Sequence, residues 1–343
     1  MKIVKLGSPE TVMHNPDSTH NYFAWPTAVR LQNGRIAVVA SGYRMKHVCP
    51  FGKTVISYSE DEGKTYTLPA PVIDTPLDDR DGGIMTFGKT GVIVTSFNND
   101  RALQKRYFES AWLKSATTWI NNEDFDGYIS SYIDVITDEI EDKYLGSNYR
   151  VSNDCGVTFG PLRKCPVSSP HGPCEMPDNT ILYVGTLFEH DSAHPSENIL
   201  KAYAIDTDGN CEYRGTIDPV YIDGERMFSY EPHAFVLDDG TVICHFRVEG
   251  NHTTKLKPFA TYQTVSTDGG RTWSAPEMIT PLRGGAPAHI MKHSSGILIS
   301  VVGYRERPFG IKAMFSRDNG RTWDIGHDVY SNEISSSMLT PNR

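Results

Sequence analysis

One octapeptide constrains this chain more than any other feature. It appears as SEDEGKTY (59–66), SNDCGVTF (152–159), STDGGRTW (266–273) and SRDNGRTW (316–323). Its common form is Ser-x-Asp-x-Gly-x-Thr followed by an aromatic residue. Ser and Asp side chains cap the backbone N–H groups of tight turns. Gly supplies a conformation costly for other residues. The aromatic residue closes the turn by packing. The octapeptide is therefore read as a structural turn, repeated because the architecture is repeated.

The surrounding sequence repeats too. PTAVRLQNGRIAVVASGYR (26–44) is two apolar runs joined by Asn33-Gly34, a hairpin signal. The pattern returns at 83–97, 172–186, 233–247 and 289–305, with turns at Gly91, Asn179, Gly240 and Gly296. Each hairpin is followed by one octapeptide. The third, IDTDGNCEY (205–213), is degenerate and keeps Asp208 and Gly209. Two strands, a loop, a third strand, the octapeptide turn and a fourth strand, recurring about every 57 residues, describe a β-propeller blade. The one long gap contains residues 102–144, which lack strand alternation and read as a partly helical insertion projecting from the second blade. The expectation is an all-β chain forming one propeller over 1–343, with five complete four-stranded blades and an incomplete sixth. The N-terminal MKIVKLGSPETV is expected to add an outer strand to that sixth blade.

A hairpin brings the start of its first strand and the end of its second to one end, opposite its turn. The turn ends carry Asn33, Lys89, Asp178, Asp238, Asp239 and Ser294, ordinary solvated residues. The open ends carry Trp25, Arg44 and His47; Asp79, Arg80, Asp81 and Asn98; His171 and Glu189; Glu231, His233 and Arg247; and His289, Tyr304, Arg305 and Arg307. Arginines, carboxylates and histidines from five blades thus gather at one mouth of the central channel, a usual ligand position in barrel-like folds. His171, His233 and His289 occupy near-equivalent places. They are read as channel-lining or sugar-binding groups, not as a metal site, and no cofactor is expected.

The octapeptides resemble the Asp-boxes of the sialidase (neuraminidase) superfamily, whose propellers have six blades. The resemblance covers nearly the whole chain. It implies that Glu231 is the carboxylate that polarises a tyrosine nucleophile. It also implies that Arg247, and Arg307 or its near competitor Arg305, grip a substrate carboxylate, for which a planar guanidinium fork is suited. The sequence departs from the pattern in three places. Ala24-Trp25-Pro26 stands where the first gripping arginine belongs. No carboxylate follows Arg44, so His47, Asp79 or Asp81 must serve as acid/base. A sixth hairpin, due about 57 residues after Gly296, lies past Arg343, and with it the nucleophile's blade.

The resulting expectation is a glycoside hydrolase on the terminus of an acidic or complex glycan, distinct from a standard sialidase. Its chemistry would run through Glu231 with Asp81 or His47. Arg44, Asp79, Arg80, His171, His233, Arg247, His289, Arg305, Arg307 and Trp25 would bind substrate. The alternatives are a carbohydrate-binding propeller without turnover and a polysaccharide lyase. The net charge of −9 argues against nonspecific hold on nucleic acid or anionic membranes, and no run of about 18 apolar residues is present. The start is too polar for an export signal. The six cysteines are therefore expected to be reduced thiols of a cytoplasmic protein, or of a secreted one if a leader was trimmed.

Overall fold

The computed structural model describes residues 10–109, 122–187, 198–250 and 253–331. Blade 1 is the sheet β1 (Tyr22–Arg30), β2 (Ile36–Arg44), β3 (Lys53–Ser59) and β4 (Ala70–Ile73). Blade 2 is β5 (Asp78–Phe87), β6 (Gly91–Asn99), β7 (Ser147–Ser152) and β8 (Arg163–Cys165). Blade 3 contains β9 (Val167–Ser168), β10 (Cys174–Glu175), β11 (Ile181–Leu187), β12 (Leu200–Ile205) and β13 (Cys211–Thr216), with β9 and β10 both paired to β11. A small hairpin, β14 (Tyr221–Ile222) and β15 (Glu225–Arg226), leads into blade 4: β16 (Phe228–Val236), β17 (Val242–Glu249), β18 (Phe259–Ser266) and β19 (Glu277–Met278). Blade 5 is β20 (Ala288–Lys292), β21 (Leu298–Tyr304), β22 (Gly310–Ser316) and β23 (Asp324–Ser331).

All five sequence-read hairpins lie within these antiparallel blades. The described residues make five blades, not six. The N-terminal strand expected for a sixth falls mostly on residues outside the described ones, and residues 10–21 form no extended strand ladder.

Strand alternation is what stacks the blades. In β6, Val92 and Val94 face blade 1, meeting Ala37 and Val39, while Ile93 faces blade 3, meeting Ile181 and Tyr183. In β11, Leu182 and Val184 turn the other way, onto Val242 and Cys244 of blade 4. Ile243 then points on to Ile290 and Leu298 of blade 5. A period of two thus gives each middle strand two buried faces, as continuous apolar runs require. Each such aliphatic side chain contributes roughly 1.5–3 kcal/mol on burial.

The octapeptides form one turn four times. In the first, Ser59 Oγ donates to Asp61 Oδ1 (2.9 Å) and accepts from Gly63 N–H (2.8 Å). Asp61 Oδ1 accepts the Lys64 and Thr65 N–H groups, and Oδ2 accepts the Thr65 hydroxyl at 2.7 Å. These bonds pull the Asp61 carboxyl down to about 2, the Thr65 backbone contributing most. The turns also latch blades together. A Cβ on Gly320, whose φ is +80°, would strike Ile243 Cδ1 of blade 4 at 2.4 Å, and Trp323 Nε1 donates to Gln263 Oε1 there (2.8 Å). The degenerate third copy is organised by Asp206, not Asp208. Asp206 Oδ1 accepts the N–H groups of Asp208 and Asn210, and Asn210 Nδ2 replaces the threonine hydroxyl at 2.6 Å.

The insertion carries α1 (Arg101–Glu109), α2 (Asn122–Asp134) and α3 (Asp138–Tyr144). It does not simply project from blade 2. Ile129 and Ile133 are fully buried against Met45 and Cys49 of the loop after β2, so the helices wall the open end beside blades 1 and 2.

One buried ion pair fastens that corner. Arg44 Nη2 donates to Asp78 Oδ1 at 2.5 Å, with both side chains wholly buried. Asp78→Ala would leave the guanidinium buried without its carboxylate. The expected cost is about 3–5 kcal/mol, read as a lower urea midpoint at unchanged slope. A loss within a few tenths of a kcal/mol would show that the pair does not secure the seam.

Candidate active site

Three blades carry the same backbone irregularity at the mouth. The β1–β2, β5–β6 and β16–β17 ladders slip between Ala24 and Thr27, between Arg80 and Gly83, and between Tyr230 and His233. At each slip sits a non-glycine residue in the left-handed region: Trp25 (φ +55°), Asp81 (φ +52°) and Glu231 (φ +49°). That conformation costs roughly 1–3 kcal/mol for each residue and concentrates at functional sites. A bulge also turns a side chain away from the ladder's alternation. Trp25, Asp81 and Glu231 are thus one structural position written with three chemistries.

Each carboxylate has an arginine beside it. Arg247 Nη1 lies 3.0 Å from Glu231 Oε2, and Arg247 Nε lies 3.7 Å from Glu249 Oε2. Arg80 Nε stands 3.8 Å from Asp81 Oδ1, and Arg80 Nη1 stands 3.7 Å from Asp78 Oδ2. These contacts satisfy charge but not hydrogen bonding. Arg80 Nε, Asp81 Oδ1, Glu231 Oε2 and Arg247 Nε are all buried atoms without a hydrogen-bond partner. Burial raises the Asp81 carboxyl above the usual range. The Arg80 charge opposes that rise and the Glu231 charge adds to it, so the two carboxylates act on one another across the mouth.

Aromatic surfaces complete the lining. The Trp25 ring lies 4.8 Å from the Arg80 guanidinium and edge-on to His47 at 5.0 Å. Arg247 covers Tyr230 at 4.9 Å, and Phe259 is shared by Arg247 (5.7 Å) and Arg305 (4.5 Å).

Several sequence-read residues take other positions. Arg44 does not face the mouth. Besides Asp78 it donates to the carbonyls of Lys46, His47 and Asp79, and its side chain is wholly buried. Asp79 is likewise enclosed. Its carboxylate accepts the Thr75 N–H and hydroxyl and the Asn98 amide, and burial pushes it up to about 7. His47 is at the mouth, against Trp25, and is held neutral. Burial first, then the charges of Arg80, Arg44 and Arg305, push its imidazole down to about 2. Arg305 therefore reaches the cluster from blade 5. Arg307 lies over Phe309 at 5.3 Å, and it and Arg305 are both exposed. Glu189 lies outside the described residues.

The histidines converge more closely than equivalent blade positions suggest. His233 stacks on His289 with centroids 3.9 Å apart, and His171 Nδ1 lies 3.1 Å from His289 Nδ1. His233 Nδ1 accepts the Ile290 N–H at 2.8 Å. Among the described residues no group of three or more His, Cys, Asp or Glu is arranged to hold a metal ion. The three rings form one contact cluster that burial keeps neutral.

Sequence reading missed Tyr22, which meets Trp25 edge-on at 5.9 Å and feels the charges of Arg44, Arg80 and Asp81. It also missed Tyr230, Glu249 and Phe259. What the sequence did offer, and the reading did not use, was the equivalence of the three bulge positions. Trp25, Asp81 and Glu231 stand at nearly the same offset ahead of the turn glycines Gly34, Gly91 and Gly240.

No family model and no curated protein matches the sequence. Solved structures do share its fold. A Dyadobacter fermentans protein of unknown function superposes with TM-score 0.63 at 18% identity, over 92% of this chain and 85% of that one. The NanB sialidase of Streptococcus pneumoniae gives TM-score 0.63 at 15% identity, over 96% of this chain and 65% of that one. The intramolecular trans-sialidase of Ruminococcus gnavus gives 0.59 at 13% identity, over 93% of this chain and 87% of that one. The chain has a sialidase-like β-propeller fold.

The histidine cluster makes stability depend on pH. Burial holds His171 and His233 well below the ordinary histidine value of 6.5 and pushes His289 down to about 4. A lowered histidine is neutral when folded and takes a proton when unfolded, so the unfolded chain gains protons below pH 6.5. Stability should fall from pH 6.5 toward 4, by about 1.4 kcal/mol per pH unit for each such histidine. His289→Gln should flatten this slope in urea unfolding series. An unchanged slope would refute the assignment.

Proposed function

We propose that the mouth is the active site of a glycoside hydrolase of sialidase-like type, acting on the terminus of an acidic or complex glycan other than a standard sialoside. One observation carries the reading. Two carboxylates, Asp81 and Glu231, stand on equivalent strained bulges beside arginines whose buried polar atoms lack partners. Buried polar groups are costly unless paired, and a sugar's hydroxyls and ring substituents supply the missing donors and acceptors.

The two carboxyls divide the labour that glycoside hydrolysis requires. Asp81, raised by burial, stays protonated to higher pH and donates to the leaving glycosidic oxygen. Glu231, held by Arg247, serves the anomeric carbon, directly or by activating water. Arg247 and Arg305 meet a carboxylate or other anionic substituent, and Trp25 and Tyr230 offer faces to the sugar ring. His47 contributes hydrogen bonding as a neutral imidazole. The structural neighbours named as sialidases and trans-sialidase support glycan as the ligand class.

The test is a panel of nitrophenyl glycosides and sialosides assayed with wild type, Asp81→Asn, Glu231→Gln and Arg247→Ala. Each carboxyl variant should lose about 10²–10⁴-fold in kcat with binding retained. Wild-type turnover should fall as pH rises through the Asp81 value, and Asp81→Asn should lack that limb. Arg247→Ala should weaken binding of an acidic glycan by roughly 10- to 150-fold. Robust sialoside cleavage would overturn the substrate assignment. Absence of turnover across the panel, with glycan binding lost in Arg247→Ala, would replace the hydrolase with a binding propeller.

A further inference from the structure

Two cysteines meet where blade 2 touches blade 3, on neither the mouth nor the channel. Cys165 ends β8, the outer strand of blade 2, and is 6% exposed. Cys211 opens β13, the outer strand of blade 3, and is partly exposed. The shortened third turn brings them together. Because Asp206 and Asn210 close that turn early, β13 begins at Cys211 directly opposite Ile205. The seam is tight. The Tyr149 hydroxyl donates to the Asp206 carbonyl at 2.8 Å, and a Cβ on Gly209 would stand 3.2 Å from Arg163 Cδ. Cys211 Sγ reaches the Lys164 carbonyl at 3.7 Å, the residue next to Cys165, and both sulfurs pack in one cluster with Tyr149 and Tyr203. The two cysteines are thus neighbours across the seam.

We propose that Cys165 and Cys211 are a redox-active pair that hydrogen peroxide converts into a disulfide stapling blade 2 to blade 3. The Cys211 thiolate attacks one peroxide oxygen. The O–O bond breaks and hydroxide leaves, taking up a proton to become water, so that Cys211 becomes a sulfenic acid. Cys165 then attacks the Cys211 sulfur, the S–O bond breaks, and a second water leaves with the Cys165 proton. Two thiols are oxidised and one peroxide is reduced to two waters. Cys211 is the first to react because it is the one solvent reaches. Its thiol is also held below the ordinary value by the hydrogen bond from Cys165, while Cys165 is raised. Closing the S–S bond to about 2.05 Å joins the end of β8 to the start of β13.

The experiment treats the folded full-length protein with hydrogen peroxide, blocks remaining thiols by alkylation, and maps the digested protein by mass spectrometry without reduction. The expected product is a linked peptide pair joining Cys165 and Cys211, two hydrogens lighter than the reduced peptides, reversed by dithiothreitol. The oxidised protein should melt roughly 3–5 °C higher, because the staple restricts the unfolded chain. Cys211→Ser, at the more accessible position, should show neither the link nor the shift while melting like reduced wild type. Cys211 found as sulfinic acid with Cys165 still alkylatable would overturn the proposal. So would a link between other cysteines, or no reaction where a denatured control reacts.

Discussion

The wholly buried Arg44–Asp78 pair is the interaction on which the open end depends. Two charges removed from water are expensive, and further hydrogen bonds to both partners offset that cost. Arg44 uses the carbonyls of Lys46, His47 and Asp79. Asp78 Oδ2 takes the Cys49 N–H and the Asn99 amide. The loop after β2 is thereby fixed to the first strand of blade 2, and the insertion helices pack on that same loop. With Asp78 and Asp79 both anchored inward, Arg80 and Asp81 are left to occupy the mouth.

Much of the fold was legible because it is local. Hairpin turns, strand alternation and the Ser-Asp-Gly turn are decided within a dozen residues, and each recurs. The third octapeptide misled because its spacing changed: Asp208 matches the motif by eye, but Asp206 has the hydrogen bonds. The insertion's helices follow from missing alternation, whereas their packing onto Met45 and Cys49 is a long-range fact with no local trace.

Of the candidate site, the sequence made the place on the fold more legible than the direction of each side chain. Gathering polar residues at the open ends identified Glu231, Arg247, Asp81, Arg80 and Trp25, all of which line the mouth. It also drew in Arg44 and Asp79, because distance along a hairpin says which end a residue occupies and not which way it points. Direction is set by the bulges, which rest on left-handed residues that are not glycine, and no propensity rule marks a tryptophan or glutamate for that backbone. The contact of His171, His233 and His289 depends on how closely five blades approach their axis, which no single repeat encodes.

The shared bulge has a consequence for how such a mouth can change over time. Trp25, Asp81 and Glu231 sit in interchangeable sockets whose unusual backbone is supplied by the strand ladder, not by the side chain they hold. A new residue in one socket alters the chemistry presented at the mouth, while the neighbouring blades keep their packing. A change of side chain at the mouth therefore needs one replacement at a fixed point on a constant frame, with no loop redesigned and no strand moved.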